Sequence, residues 1–258
     1  MKKHSFFFLC VCLALLSSCK HPAPEPADNA GKVKIEIKHV AGEAGLILTT
    51  GVYTTALGEK VSVDLLKYYL SNFQLTKADG SIFTIPQDSC YFLIDAENAS
   101  THAFSLKNLP KGDYTSLTFI MGVDSTTNYA PVEEHTGALD LANSMFWIWN
   151  DGHIFFKMEG TSPSLNGDSY HYHVGGAGGR PGAETFNNLK TVTIPFGQNV
   201  AFSKDLAPEI HLKGDILQVF DGTKAISVLE YQNIQAINIA STKIANNYAH
   251  FFRLDLIH

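Results

Sequence analysis

MFWIWNDGHIFFKMEG, residues 145–160, holds both tryptophans of the chain, Trp147 and Trp149. Asp151-Gly152 predicts a two-residue hairpin turn that pairs Asn150 with His153, Trp149 with Ile154 and Trp147 with Phe156. One face of that hairpin then carries Met145, Trp147, Trp149, Ile154, Phe156 and Met158, all apolar. The other carries Phe146, Ile148, Asn150, His153, Phe155 and Lys157. An apolar face of this kind has to be covered, which predicts a β-rich domain with the hairpin at its core.

The flanking sequence agrees. KVKIEIKH places Val33, Ile35, Ile37 and His39 on one face of a strand and Lys32, Lys34, Glu36 and Lys38 on the other. VSVDLLKYYLSNFQLTKADGSIFTIP reads as two strands around Ala78-Asp79-Gly80, and CYFLID and PKGDYTSLTFIMGVD add more. LKTVTIPF, PEIHLKGDILQVF and FFRLDLIH are further strands. Residues 125–143 turn polar and read as a long surface loop, and only SVLEYQNIQAINIASTKIANNYA offers helical spacing. Short strands with frequent turns predict an all-β fold, a single antiparallel β-sandwich or barrel-like domain over residues 32–258.

The beginning of the chain is different. MKKHSFFFLCVCLALLSSC joins a basic start to an apolar run and then to small residues before Cys19, the pattern of a lipoprotein signal over residues 1–18. Acyl chains on Cys19 would supply a membrane anchor. KHPAPEPADNAGK extends that anchor as a Pro/Ala tether, residues 19–31. The expected location is the cell envelope, at the outer membrane facing the periplasm, with surface exposure as the alternative. Of four cysteines only Cys90 falls in the folded part, which excludes an intrachain disulfide framework and a cysteine-rich zinc site. Cys90 alternates with Phe92 and Ile94 and reads as a buried structural thiol.

The 19 basic and 25 acidic residues give a net charge of −6, and removing Lys2 and Lys3 with the signal makes it −8. With no basic run, this balance argues against nucleic acid as a partner. Hydrolase signatures are missing: GTSPS lacks the second glycine of a nucleophile elbow, and HExxH does not occur. GGAGGRPG has neither the Lys-Ser/Thr of a phosphate loop nor the dinucleotide pattern.

Histidine carries the remaining chemistry. In a strand, His171 and His173 of YHYH share a face, a geometry that suits two imidazoles on one metal and equally a hydrogen-bonded pair. A carboxylate close in sequence is lacking, the next acid being Glu184. His39, ending an apolar stripe, reads either as a satisfied core histidine or as a neutral metal ligand. Asp124 with Asn128, and Asp140, are read as turn formers before calcium ligands.

Seven motifs occur in an order that resembles the MbnP-like proteins. They are KYYLSN (67–72), YFLID (91–95), GVD (122–124), GALD (137–140), MFWIWN (145–150) with Gly152, KMEG (157–160) and HVG (173–175). That family comprises periplasmic or lipid-anchored copper-binding proteins of Gram-negative bacteria, first associated with methanobactin loci. The resemblance implies an all-β domain that binds copper, in some members through histidines beside a tryptophan oxidised to kynurenine. It also implies a di-haem partner resembling bacterial cytochrome c peroxidases, to which that oxidation is ascribed. Carried onto this chain, the motif histidine is His173 and the oxidisable tryptophans are Trp147 and Trp149. His39 and His171 join the ligand candidates on strand parity alone. His153 stands where the family leads one to expect an aromatic residue such as tyrosine. The expected function is non-enzymatic copper storage, buffering or delivery; the alternative is an envelope binding or scaffold module that keeps the fold without a metal site.

Overall fold

The computed structural model describes residues 30–149, 152–179 and 186–258. The signal, Cys19, nearly all of the tether, Asn150 and Asp151 of the turn, and Arg180–Gly182 of the glycine loop lie outside the described residues. In chain order the strands begin with β1 (Gly31–Ala41), β2 (Ala44–Gly45), β3 (Tyr53–Thr54), β4 (Lys60–Val61) and β5 (Leu65–Lys77). They continue with β6 (Ile82–Thr84), β7 (Phe92–Asp95), β8 (Ala103–Leu109), β9 (Gly112–Met121), β10 (Phe146–Trp147) and β11 (Gly152–Thr161). The last are β12 (Ser169–Gly175), β13 (Lys190–Phe202), β14 (Glu209–Asp215), β15 (Asn233–Ile234) and β16 (Phe252–Ile257). Three helices are α1 (Ser125–Asn128), α2 (Leu217–Asp221) and α3 (Ile239–Tyr248).

The fold is all-β and sandwich-like. One sheet runs β16-β14-β1-β2 with β8 beside β1; the other runs β13-β9-β5-β11-β12-β15, with β6, β7 and β10 attached. Alternation explains the layers. Val33, Ile35 and Ile37 of β1 and Ile210 and Leu212 of β14 share one core with Tyr68, Leu70, Phe119, Phe156, Met158 and Tyr172 of the larger sheet. Every second residue of the larger sheet therefore points to its other, outer face. Most pairings are antiparallel, but β1 with β14 and β12 with β15 are parallel.

Several local expectations are corrected. PEIHLKGDILQVF is strand β14 followed by helix α2, because Ile216, Val219 and Phe220 bury at helical rather than alternate spacing. The weak helical pattern near the C-terminus becomes α3, started by an Asn238/Ser241 capping box. Residues 125–143 form a folded cap: α1 and 3₁₀ turns at 132–134, 137–139 and 141–143 bury Asn128, His135 and Leu139. Asp124 and Asp140 accept backbone N–H bonds at the starts of two of these turns, the turn-forming role.

The tryptophan hairpin also differs from its predicted register. Phe146 pairs with His153 and Trp147 with Gly152, so the connection is the four positions 148–151 instead of two. A bulge then inserts Phe155 into β11 where it pairs with β12, between Ile154↔Gly175 and Phe156↔Val174. The predicted single apolar face consequently splits. Phe156 and Met158 enter the intersheet core, whereas Met145, Trp147, Ile154 and Phe155 join Tyr69, Val123 and Leu139 in a second cluster on the outer face. Trp147 is 1% exposed and Trp149 is 71% exposed, so Trp149 does not belong to a buried face.

Candidate metal centre

The outer face of β11 and β12 gathers the chemistry. Register pairs Lys157 with His173 and Glu159 with His171, and β5 adds Lys67 opposite Lys157. The strand period of two then brings Glu159, His171 and His173 to one side of the sheet, away from Met158, Tyr170 and Tyr172 in the core. His173 Nε2 donates to Glu159 Oε1 at 2.7 Å, and His171 Nδ1 lies 3.7 Å from Oε2. The ligand atoms of all three residues fall within 4.8 Å of one another. Metal–ligand bonds of about 2.0–2.2 Å separate two ligand atoms by at most about 4.4 Å, so the trio closes on one ion with little movement.

Electrostatics prepares these groups. Burial alone would raise the Glu159 carboxyl, but the His173 hydrogen bond and the nearby Lys157 ammonium outweigh it and hold it below the ordinary value. Burial is the largest influence on His173 and lowers it, with the Glu159 bond acting in the opposite direction. An ionised carboxylate beside a neutral imidazole is the protonation state a divalent ion requires. Lys157 also reaches the backbone oxygen of Ser144 at 3.5 Å, just after the cap, and Lys67 pairs with Asp95 of the neighbouring strand β7 at 2.9 Å.

Trp147 borders this group. On β12 the residues after His171 and His173 on the same face are Gly175 and its neighbours, and the indole packs there. A Cβ on Gly175 would lie 2.8 Å from Trp147 Cζ3 and 2.5 Å from the His153 oxygen, so only glycine lets the ring close down one strand repeat from His173. The indole Nε1 is buried with no hydrogen-bond partner among the described residues. Trp149 contacts Trp147 with ring centroids 6.5 Å apart but stays in solvent.

His39 is not part of the group. It stands on β1 of the smaller sheet and faces the inner side of the larger one, where its Nε2 meets the Tyr68 hydroxyl at 2.8 Å, and its ring stands edge-on to His102 with centroids 5.0 Å apart. Tyr68 points into the core while its neighbour Lys67 faces the opposite side with Lys157, so the sheet separates His39 from His171 and His173. Burial, reinforced by His102, brings the His39 imidazole down to about 3. Its strand parity is as expected, with Val33, Ile35, Ile37 and His39 all buried, but that parity turns it toward the intersheet core and away from the Glu159, His171 and His173 group.

Glu159 was the residue sequence reasoning passed over. The search for a carboxylate ran along the chain to Glu184, when the partner sits across the β11–β12 hairpin. The signal was available: FFKMEGT and SYHYHVG, separated by the Pro-Ser-Leu-Asn-Gly turn at 163–167, pair in a register that sets Glu159 against His171.

The comparisons with known proteins point to one family. The family model described as MbnP matches residues 30–241. Among solved structures, MbnP from Methylosinus trichosporium is similar to this chain, with a TM-score of 0.50 and 18% identity, covering 74% of this chain and 77% of that one. No curated protein matches the chain. The family model spans well over half of the sequence, and the chain belongs to the MbnP family.

Proposed function

We propose that the protein binds copper at Glu159, His171 and His173 and serves to store, buffer or deliver it. The observation that carries this reading is the Glu159 carboxylate, hydrogen-bonded to one imidazole and facing the second on a partly exposed sheet face. Two imidazoles and a carboxylate are a borderline N/O donor set that suits divalent copper. Membership of a family known for binding copper selects copper over zinc. In this reading the protein holds a metal and turns over no substrate.

Trp147 is the tryptophan placed for oxidation to kynurenine, since it packs beside the metal-binding face while Trp149 extends into solvent. An aromatic amine there would add a ligand that indole lacks. The di-haem partner, docking over the exposed Trp149, would drive that oxidation with a peroxide as the oxygen-supplying oxidant, the indole C2 carbon leaving as formate. Lipid on Cys19 would hold the protein at the outer membrane, facing the periplasm. Among the described residues no helix is long and apolar enough to cross a membrane.

The test is copper stoichiometry of protein purified without chelator, for wild type and for His173→Ala. One equivalent lost between the wild type and the variant supports the reading. Equal copper in both removes His173 from the site, and no copper in either leaves the scaffold alternative. Fragment-ion mass analysis of the tryptic peptide 112–157, which holds both tryptophans, tests the assignment: the fixed mass added by oxidation should fall on Trp147 and not on Trp149.

A further inference from the structure

Between α2 and β15 the chain builds, together with α3, a cavity that shares no residue with the metal-binding face. Helix α3 turns Lys243, Asn246 and Asn247, spaced i, i+3 and i+4, toward the loop 222–231, and about 270 Å³ is enclosed between them. Residues 223–226 form a second wall, and Glu230 with Tyr231 a third. The match to the family model ends at residue 241, before the helix residues of this cavity.

Both loop walls are pinned by buried polar side chains. Asn247, 1% exposed, accepts the Lys224 N–H at 3.2 Å and donates from Nδ2 to the oxygens of Lys224 at 2.8 Å and Val219 at 3.0 Å. Gly222 permits this approach, since a Cβ there would lie 2.8 Å from the Asn247 backbone. Glu59, 9% exposed, reaches across from the turn between β3 and β4 and accepts the Ser227 hydroxyl at 2.5 Å and the Val228 N–H at 2.7 Å. The walls are thus set before any ligand arrives, which lowers the ordering cost of binding.

The lining selects the ligand. Lys243 Nζ donates to the Tyr231 hydroxyl oxygen and lies 4.7 Å from the centre of its ring. Because that oxygen accepts, the phenol proton is left to donate, and no acceptor takes it among the described residues. The Tyr231 bond, with Glu230 nearby, raises Lys243 above its ordinary value and keeps the ammonium charged. Lys224 has no ion pair among the described residues. Two ammonium groups against the Glu230 carboxylate leave the cavity positive by one charge, in a chain whose net charge is −6. Beside the charges lie Ile226, 4% exposed, and Ala225, which offer apolar surface. A single negative charge on an apolar body matches this lining, whereas a dianion such as phosphate would meet Glu230 and leave the apolar floor bare.

We propose that this cavity binds a small organic monocarboxylate, whose carboxylate accepts from the Tyr231 hydroxyl and from the Lys224 and Lys243 ammonium groups while its apolar part covers Ile226.

The experiment titrates benzoate into the full chain and follows the backbone amide NMR spectrum, with benzamide as the uncharged isostere and inorganic phosphate as the compact anion. The expected result is saturable shifts centred on residues 223–231 and 243–247, with binding about tenfold or more weaker for benzamide, for phosphate, and in Lys243→Met or Tyr231→Phe. Benzamide binding as tightly as benzoate would leave an apolar cavity only, and phosphate binding as tightly would leave a basic rim only. Either outcome overturns the proposal, as do a lack of saturation, unchanged affinity in Lys243→Met, or shifts centred on Glu159 and His173 instead. Lys243 is exposed, so its replacement leaves the core intact, and the spectrum of the unsubstituted protein carries the test without any variant.

Discussion

His39 and His173 look alike in the sequence, each placed by alternation on one face of a strand, yet His39 faces the inner side of the larger sheet from β1 of the smaller one while His173 stands on the larger sheet's outer face. On the inner face His39 meets a tyrosine hydroxyl and a second imidazole and is held neutral by burial. On the outer face His173 meets a carboxylate, with a second imidazole beside it. The difference teaches that strand parity locates a histidine, and that its cross-strand neighbours decide whether it can ligate. In the proposed reading the inner histidine is a stability element and the outer one a binding element.

The largest expected effect tests burial itself, at His39 on the inner side and at His153 beneath the cap on the outer side. His39 falls to about 3 and His153 to about 4, both through burial. Their folded values lie below the unfolded value, so between that value and the folded ones the unfolded chain binds more protons. Their contribution is complete above about pH 6.5 and is lost as pH falls toward 4, by about 3 kcal/mol each. Chemical denaturation at pH 7 and pH 4 measures it, and His39→Phe should flatten part of the slope. A stability independent of pH over that interval would mean that burial does not hold these two imidazoles neutral.

Next in size is the outer half. Glu159→Gln should weaken copper binding by about 10–100-fold, and His39→Ala should leave it within about twofold. Competitive titration with a copper chelator compares the two; equal losses would mean the sheet does not separate them.

Gly175→Ala should sharpen the contrast further by forcing Trp147 and the His153 backbone off β12, at a cost of about 1–3 kcal/mol in denaturant unfolding. The smallest effect is expected from Tyr68→Phe, which removes the hydroxyl facing His39 at a cost of about 1–2 kcal/mol and leaves copper affinity unchanged.

The sequence carried the strands well because their alternation is a local property: Val33, Ile35 and Ile37 bury as expected, and His171 and His173 are close in space as their spacing requires. What depended on pairing was less legible. The hairpin register failed because the connection is two residues longer than the Asp151-Gly152 signal suggested, and the Phe155 bulge then redirected the apolar residues to two clusters. Glu159 was hidden for the same reason, since its partnership with His171 exists only across strands. The polar composition of residues 125–143 concealed a cap whose few buried groups, His135 and Leu139 among them, lie too far apart in sequence to show a period.

The place of copper on the outer face can be read by anomalous diffraction at the copper absorption edge from crystals loaded with Cu(II). A peak is expected among the Glu159 carboxylate and the His171 and His173 imidazoles. A peak beside His39 and His102, with none on the outer face, would contradict it.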